Sequence, residues 1–336
     1  MRCLVPTFLE RGAEMRQIEI EWVELNLGVT ATLAGSNPAL EELLWNSLPY
    51  NSIQNHAMVS GKHLYHLCPI RDLIHMSAQF KEDRTKSADG TVFLSSLMHL
   101  AIKYGALSEY IPAAPVARVE PDDISVLKEV GRKCWDAAYS TKQVIEVRVT
   151  RKGELANAFR LPPPAPVKSS QVQALIGAIH AETERIWVQS PKELVDIHAG
   201  RIASGAGSYD QYFSTMLFVN GEMRPMGYSA LGGLIKTCKH TNVSLDVLKA
   251  MTPHFIRVPA EFLGYCGLDD LWRFTQQTLS ALEAIETKDE YHSLIYTLAL
   301  YAHRLNGWNL HLFPWHYGAY YPTRPRDVAD PLARTQ

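Results

Sequence analysis

The first half of the chain alternates between apolar and polar positions, as a β-strand with one buried face does. Residues 18–24 read IEIEWVE, and residues 144–150 read VIEVRVT. Further strands are predicted at 29–33, 56–59, 62–67, 91–94 and 97–103. Apolar residues at helical spacing predict helices at 38–48 and 124–139. Many strands with two helices predict a mainly β, barrel-like domain.

A proline-rich segment separates this half from the rest of the chain. Residues 161–170 read LPPPAPVKSS, which favours extended polyproline II structure and excludes a helix. Beyond it the apolar spacing predicts helices at 170–188, 191–203, 244–251, 269–286 and 289–305. The aromatic segment 309–322 is expected to pack back on the fold. We therefore predict an α+β fold, with a barrel domain at 17–155, a linker at 156–170, a mainly helical domain at 171–322 and a flexible tail at 323–336.

Composition narrows the class of protein. The 336 residues carry 33 Lys+Arg against 35 Asp+Glu, and this balance argues against a general nucleic-acid binder. Five cysteines without a CxxC pair argue against a disulfide framework and fit a reducing compartment. No apolar run reaches the roughly 18 residues that a membrane span needs. We expect a cytoplasmic chain without nucleic-acid or membrane partners, and the sequence leaves open whether it forms a homodimer.

The common cofactor motifs are absent from the sequence. There is no GxGxxG, GxxxxGK[ST] or HExxH, and GYSALG at 227–232 falls one residue short of the GxSxG nucleophile motif. The thirteen histidines do not fall at metal-ligand spacing; His63 and His66 would face opposite sides of a strand. We therefore expect neither a cofactor nor a metal.

Polar side chains crowd the segment NHAMVSGKHLYH, which holds His56, Ser60, His63, Tyr65 and His66. One interpretation is a hairpin whose polar residues bond to the backbone. The other is the polar wall of a substrate pocket, and the sequence does not decide between them.

The strand 97–103 places His99 and Lys103 on one face. If that face meets solvent, Lys103 is simply hydrated. If it lines an interior, Lys103 becomes a carboxylate anchor or an acid–base group. Glu19 and Glu21 on the first strand carry the same ambiguity.

Several residues are candidates for substrate contacts. Lys62, Arg71 and Arg118 could each bind a carboxylate, and planar Arg suits a bidentate clamp best. The run Trp315–His316–Tyr317 could form an aromatic lid, although a packed C-terminal anchor is the favoured interpretation.

Two long segments resemble known proteins. LEELLWNSLPYNSIQNHAMVSGKHLYHL and DGTVFLSSLMHLAIKYGALSEYIPAAPVARV resemble a cyclophilin-like bacterial family of unknown function, over roughly residues 17–150. The sequence lacks the Phe-His-Arg cluster of peptidyl-prolyl isomerases, so isomerase activity is not implied. Joined to a helical half at this length, the chain resembles the opine synthases of the cucumopine and mikimopine synthase family.

That resemblance implies condensation of L-histidine with 2-oxoglutarate by a Pictet–Spengler reaction, without a cofactor. This chemistry needs proton transfer and cations for three carboxylates. The candidates for catalysis are Glu21, His56, His66 and Lys103, with Tyr65 as a hydrogen-bonding helper. The candidates for substrate binding are Ser60, Lys62, Arg71, His99, Tyr104, Trp315 and His316. The alternative is a non-catalytic cyclophilin-like module that binds a peptide or small ligand.

Overall fold

Ten strands in the described part of the first half form one antiparallel sheet that nearly closes into a barrel. The computed structural model describes residues 16–154, 159–202 and 212–320, without the side chains of Phe213 and Ser214. The strands are β1 Gln17–Trp22, β2 Leu27–Leu33, β3 Tyr50–Ile53, β4 Asn55–His56, β5 Gly61–Leu67, β6 Glu82–Asp83, β7 Thr91–Ser95, β8 His99–Leu107, β9 Pro112–Val119 and β10 Glu146–Arg151. The order β3-β10-β1-β2-β9-β7-β8-β5-β4, with β6 beside β9, brings β3 and β4 to the two ends. Because only Gln54 separates these two strands in the chain, the ends of the sheet meet.

The alternation seen in the sequence decides which residues fill the barrel. Ile18, Ile20 and Trp22 of β1 are fully buried in its core, whereas Glu19 and Glu21 lie on the outer face. Two helices, α1 Pro38–Asn46 and α2 Ile124–Asp136, pack against the barrel. Hydrophobic burial of these inward faces supplies most of the barrel's stability.

The second half is helical. Its helices are α3 Ser170–Arg185, α4 Lys192–His198, α5 Tyr212–Arg224, α6 Gly232–Cys238, α7 Leu245–Tyr265, α8 Asp269–Ala281 and α9 Lys288–Leu312. A capping box between Thr287 and Glu290 starts α9, and almost every residue that follows in this helix is buried. A helix that is buried all round has to lie at the centre of its bundle. The predicted α+β class is therefore confirmed.

Three helix predictions in this half were wrong. The helix predicted at 244–251 continues to Tyr265 through Pro253 and Pro259, because its buried face packs along α8 and offsets the cost of the prolines. Helix α4 ends at His198, five residues early. The prediction placed no helix between 204 and 243, where α5 and α6 lie.

Polar contacts join the two halves along α9. Asn55 of β4 donates its side-chain amide to the carbonyl of Gly307 at 3.0 Å. The Arg304 guanidinium, which is fully buried, donates to the Ser52 hydroxyl of β3 at 3.1 Å. These bonds fix α9, and the helices packed on it, against one side of the barrel.

Parts of the predicted organisation fall outside the described residues. They are residues 156–158 of the linker and the tail at 323–336. Within the described ranges, none of the helices combines the length and the apolar character that crossing a bilayer requires.

Candidate active site

A large cavity has its floor on the outer face of three neighbouring barrel strands. His63 and Tyr65 of β5, Phe93 of β7, and His99 and Ala101 of β8 line a space of about 1100 Å³. Strand pairing places Tyr65 and Phe93 on either side of Ala101. The period of two along each strand explains why these residues share one face. The helical half covers this face, so the outside of the barrel here becomes an interior wall.

The roof of the cavity comes from the helical half. Arg224 lies at the end of α5 and Tyr228 in the turn that follows it. Lys236 lies in α6, Lys239 directly follows that helix, and Asn306 lies in α9. Between α5 and α6 the chain forms a π-helical turn, Pro225–Leu231, which begins at a proline that has no N–H for the helical ladder. π-turns of this kind recur at functional sites, and this one contains Tyr228.

A hydrogen-bond network joins floor and roof. The Tyr228 hydroxyl and His99 Nε2 lie 2.8 Å apart, and the Asn306 amide donates to the same hydroxyl at 3.4 Å. The Tyr65 ring packs on His99 with centroids 5.0 Å apart. Burial lowers the pKa of His99 to about 3 and raises that of Tyr228 to about 12, so both are neutral at pH 7. A neutral phenol–imidazole pair can pass a proton in either direction.

Cations outnumber carboxylates around the cavity. Five of the described lining residues are cationic, namely Lys81, Arg84, Arg224, Lys236 and Lys239, against Asp72 and Glu109. Glu109 is ion-paired with Arg84, which also donates its Nε–H to the Glu109 carbonyl at 3.1 Å. The surplus of positive charge favours anionic ligands, and the pairing holds one carboxylate in a fixed position.

His63 presents an unused ring nitrogen. The side chain is buried, and its Nε2 has no hydrogen-bond partner among the described residues. Burial, with the nearby Arg84 charge, lowers its pKa to about 3. A neutral imidazole whose nitrogen is unsatisfied costs free energy unless a ligand or water meets it, so His63 is a candidate ligand contact.

Comparisons with known proteins agree with this architecture. The sequence model of the family described as "Cucumopine synthase C-terminal helical bundle domain" matches residues 172–312. A solved structure, McbB in complex with tryptophan, is 60% identical over 91% of this chain and 100% of its own, with a TM-score of 0.89. The chain belongs to the cucumopine synthase family. Among proteins with curated functions, none matches this chain.

As a member of the cucumopine synthase family, the chain is a synthase of the Pictet–Spengler type. The resemblance in the sequence implied this activity. The family match at 172–312 includes the helices of the cavity roof, namely α5, α6 and α9.

Four of the sequence-predicted site residues lie on the cavity wall of this family member. They are Ser60, Tyr65, His99 and Trp315. The polar-wall interpretation of the segment 55–66 thus fits part of that segment, and the strand face that carries His99 is interior. Trp315 also donates its indole N–H to the Leu310 carbonyl at 2.8 Å, so it is anchored as well as lining the cavity.

Three predicted site residues, His56, His66 and Tyr104, are buried in the barrel instead. His56 Nε2 bonds the Tyr104 hydroxyl at 2.7 Å, and its Nδ1 meets the Ala57 carbonyl. His66 faces the barrel core, where its Nε2 bonds Tyr50 at 2.9 Å. Both histidines are held neutral by burial, with the pKa of His56 lowered to about 4. None of the three lines the cavity, because each points to the inner side of its strand.

Four other sequence-predicted site residues lie outside the cavity. Glu21 is exposed on the outer face of β1, and Lys62 is exposed beside Gly105. His316 is exposed next to Tyr317. Arg71 donates to His292 and not into the cavity. The structure does not bring Glu21 near the other candidates, so we no longer assign it the role of base.

Lys103 is buried, but it holds a loop. Its ammonium group donates to the carbonyls of Thr85, at 2.9 Å, and Ser87. These residues follow Arg84, so Lys103 fixes the segment that carries the ion pair with Glu109. It does not line the cavity.

We expect Lys103→Met to lower stability, because two carbonyls then lose their donor. The loss should be about 2 kcal/mol, visible in urea unfolding. Lys62→Met on the neighbouring strand β5 is the matched control, since Lys62 is exposed. Unchanged unfolding of Lys103→Met would mean that the loop does not depend on this contact.

Sequence reasoning missed much of the site. It named His63 only as part of the polar segment, and it did not propose Arg84, Phe93, Glu109, Arg224, Tyr228, Lys236, Lys239 or Asn306. One signal was available: His63 and Tyr65 are two apart on a strand and had to share a face. The others come from elements that are distant in sequence, and their meeting has no local signature.

Proposed function

We propose that this protein condenses an aromatic α-amino acid with a 2-oxo acid by a cofactor-independent Pictet–Spengler reaction in the cavity. One observation carries the proposal: a single cavity combines aromatic walls, a surplus of cations and one ion-paired carboxylate. The aromatic walls suit the ring of the amino acid, the cations suit its carboxylate and those of the oxo acid, and the carboxylate suits proton removal.

For the oxo acid we propose 2-oxoglutarate. It carries two carboxylates, and the amino acid carries a third. Lys236 and Lys239 of α6, with Arg224 at the end of α5, provide cations on one side of the cavity. A smaller, singly charged oxo acid would leave part of this charge without a partner.

For the amino acid there are two candidates. L-Histidine follows from the sequence resemblance to the cucumopine and mikimopine synthases. L-Tryptophan is favoured by the 60% identity to McbB, whose structure holds tryptophan. The cavity of about 1100 Å³ has room for an indole and an oxo acid together. We therefore expect tryptophan to be the better substrate of the two.

The proposed steps use the groups on the cavity wall. The amino nitrogen attacks the keto carbon, and one of its protons passes to the keto oxygen, which becomes a hydroxyl. The Tyr228–His99 pair delivers a second proton to this hydroxyl, which leaves as water and forms the protonated imine. The aromatic ring carbon then attacks the imine carbon and closes a six-membered ring. Glu109 removes the proton from that ring carbon, which restores aromaticity, and exchange with solvent returns a proton to the Tyr228–His99 pair. Amino acid and oxo acid thus give one product and one water.

Mass spectrometry tests the reaction directly. The protein is incubated with 2-oxoglutarate and either tryptophan or histidine, after extensive dialysis against chelator. We expect a product at the summed substrate masses less one water, formed faster with tryptophan. Binding of both substrates without this product would instead support the non-catalytic binding module.

The role of the α6 lysines can be measured by kinetics. We expect Lys236→Met combined with Lys239→Met to raise the KM for 2-oxoglutarate about tenfold to hundredfold, because charge-assisted contacts to a carboxylate are lost. The kcat should change less than threefold. Lys249→Met on α7, outside the cavity, is the control. An unchanged KM would place the oxo acid elsewhere in the cavity.

A further inference from the structure

Three hydrogen-bonded side chains form a row that runs from the edge of the barrel to the cavity. Arg71 and His75 lie on the 3-10 turn Arg71–His75 after β5, and His292 lies between them on α9. Arg71 Nη2 is 2.9 Å from His292 Nδ1, and His292 Nε2 is 2.8 Å from His75 Nε2. Of the three, only His75 lines the cavity.

The donor and the acceptor of each of these two hydrogen bonds can be assigned in one way only. A guanidinium has only N–H groups, so Arg71 donates and His292 Nδ1 accepts. Burial lowers the pKa of His292 to about 3, with Arg71 and His75 contributing, so its proton is on Nε2. His292 then donates to His75 Nε2, and neutral His75 carries its own proton on Nδ1.

The surroundings hold this arrangement in place. The His292 ring stacks on Tyr296 at 6.1 Å with an interplanar angle of 4°, and Arg71 lies over the same Tyr296 ring at 5.2 Å. The charges that bear on His75 are Lys239, Arg71, Lys236 and Asp72. Burial and the three cations lower the pKa of His75, whereas the Asp72 carboxylate raises it. The side chain is therefore a neutral donor beside the α6 lysines.

We propose that His75 binds a carboxylate of the oxo-acid substrate through its Nδ1–H, and that Arg71 and His292 are positioning residues that fix its tautomer. Nδ1 has no hydrogen-bond partner among the described residues, whereas Nε2 is occupied by His292. The substrate assignment rests on the proposed function. The tautomer assignment does not, since it follows from the two hydrogen bonds alone.

Two measurements test the inference without requiring turnover. The first is ¹⁵N NMR of the histidine rings in the wild-type protein, which distinguishes Nδ1–H from Nε2–H. We expect His75 as the Nδ1–H tautomer and His292 as the Nε2–H tautomer. In Arg71→Met, His292 should lose its preference for one tautomer.

The second measurement is calorimetric binding of 2-oxoglutarate in the absence of amino acid. We expect about tenfold weaker binding in His75→Phe and threefold to tenfold weaker binding in His292→Phe. His292→Gln, which retains one donor and one acceptor, should recover most of the affinity, and His254→Phe on the exposed face of α7 should match wild type. A histidine that acted only through packing would not be rescued by glutamine.

The outcomes separate this inference from the proposed function. Wild-type binding in both His75→Phe and His292→Phe, or His75 as the Nε2–H tautomer, would overturn the inference even if the product forms. Absence of product, with the predicted tautomers and weakened 2-oxoglutarate binding in these variants, would overturn the proposed function and leave the carboxylate site standing.

Discussion

Glu109→Gln is expected to lower kcat by about 10²- to 10⁴-fold, because it removes the base of the closing step. Glutamine has almost the same shape and can still accept a hydrogen bond from Arg84, so the cavity should remain intact. Proton abstraction should then limit the rate. A substrate deuterated at the attacking ring carbon should react measurably slower than its protium form in this variant, and by more than in wild type.

Asp72→Asn is the matched control for this substitution. Asp72 is the other carboxylate that lines the cavity in the described residues, but it is exposed and forms no ion pair among them. We expect its kcat to stay within threefold of wild type. If Glu109→Gln retains near-wild-type kcat and shows no larger isotope effect, another group, with His63 first, is the base.

Acid is expected to unfold the protein cooperatively between about pH 6 and pH 4.5. Eight of the described histidines are held neutral by burial, with a folded-state pKa lowered to about 3 or 4. They are His56, His63, His66, His99, His198, His292, His303 and His311. In the unfolded chain they take up protons near pH 6.5.

The sign of the effect follows from proton uptake. The unfolded state binds more protons than the folded state between about pH 6.5 and the lowered pKa values, so stability is complete above pH 6.5 and falls below it. At pH 5 each such histidine lowers the free energy of unfolding by about 2 kcal/mol. Together they cost on the order of 10 kcal/mol, comparable with the whole free energy of unfolding of a typical domain.

Urea unfolding at a series of pH values measures this dependence. We expect a nearly flat free energy of unfolding from pH 7 to 8 and a steep fall below pH 6.5. The slope of the free energy of unfolding against pH gives the number of protons taken up on unfolding. His66→Gln, which can still bond Tyr50, should reduce that number by about one, whereas exposed His254→Gln should leave it unchanged. A free energy that stays constant down to pH 5 would show that these histidines are protonated in the folded protein.

Much of the barrel could be predicted from the sequence, because alternation is a local property. The run IEIEWVE had to bury Ile18, Ile20 and Trp22 on one side, and the structure confirms it. The proline-rich segment and the change to helical spacing likewise indicated an α+β chain. The absence of dinucleotide motifs, with the resemblance of two long segments, pointed to the right family.

Local signals failed where packing outweighs propensity. Pro253 argued for a helix end, yet α7 passes through it because the buried residues on either side pack along α8. The region of α5 and α6 shows no simple period, because a π-turn shifts the buried face part-way along. A period of 3.6 cannot detect a helix that changes its register.

At the candidate site, what the local sequence pattern determined differs clearly from what tertiary packing decided. The sequence by itself determined that His63 and Tyr65 share one face of β5, and His99 and Ala101 one face of β8. Only the tertiary structure decided that these faces line a cavity, because α9 and the helices around it cover them. The same packing directed His56 and His66 inward, committed Lys103 to a loop, and assembled Glu109, Tyr228 and the α6 lysines from distant parts of the chain. A strand's period fixes which residues lie together, whereas the side that meets solvent depends on what packs against it.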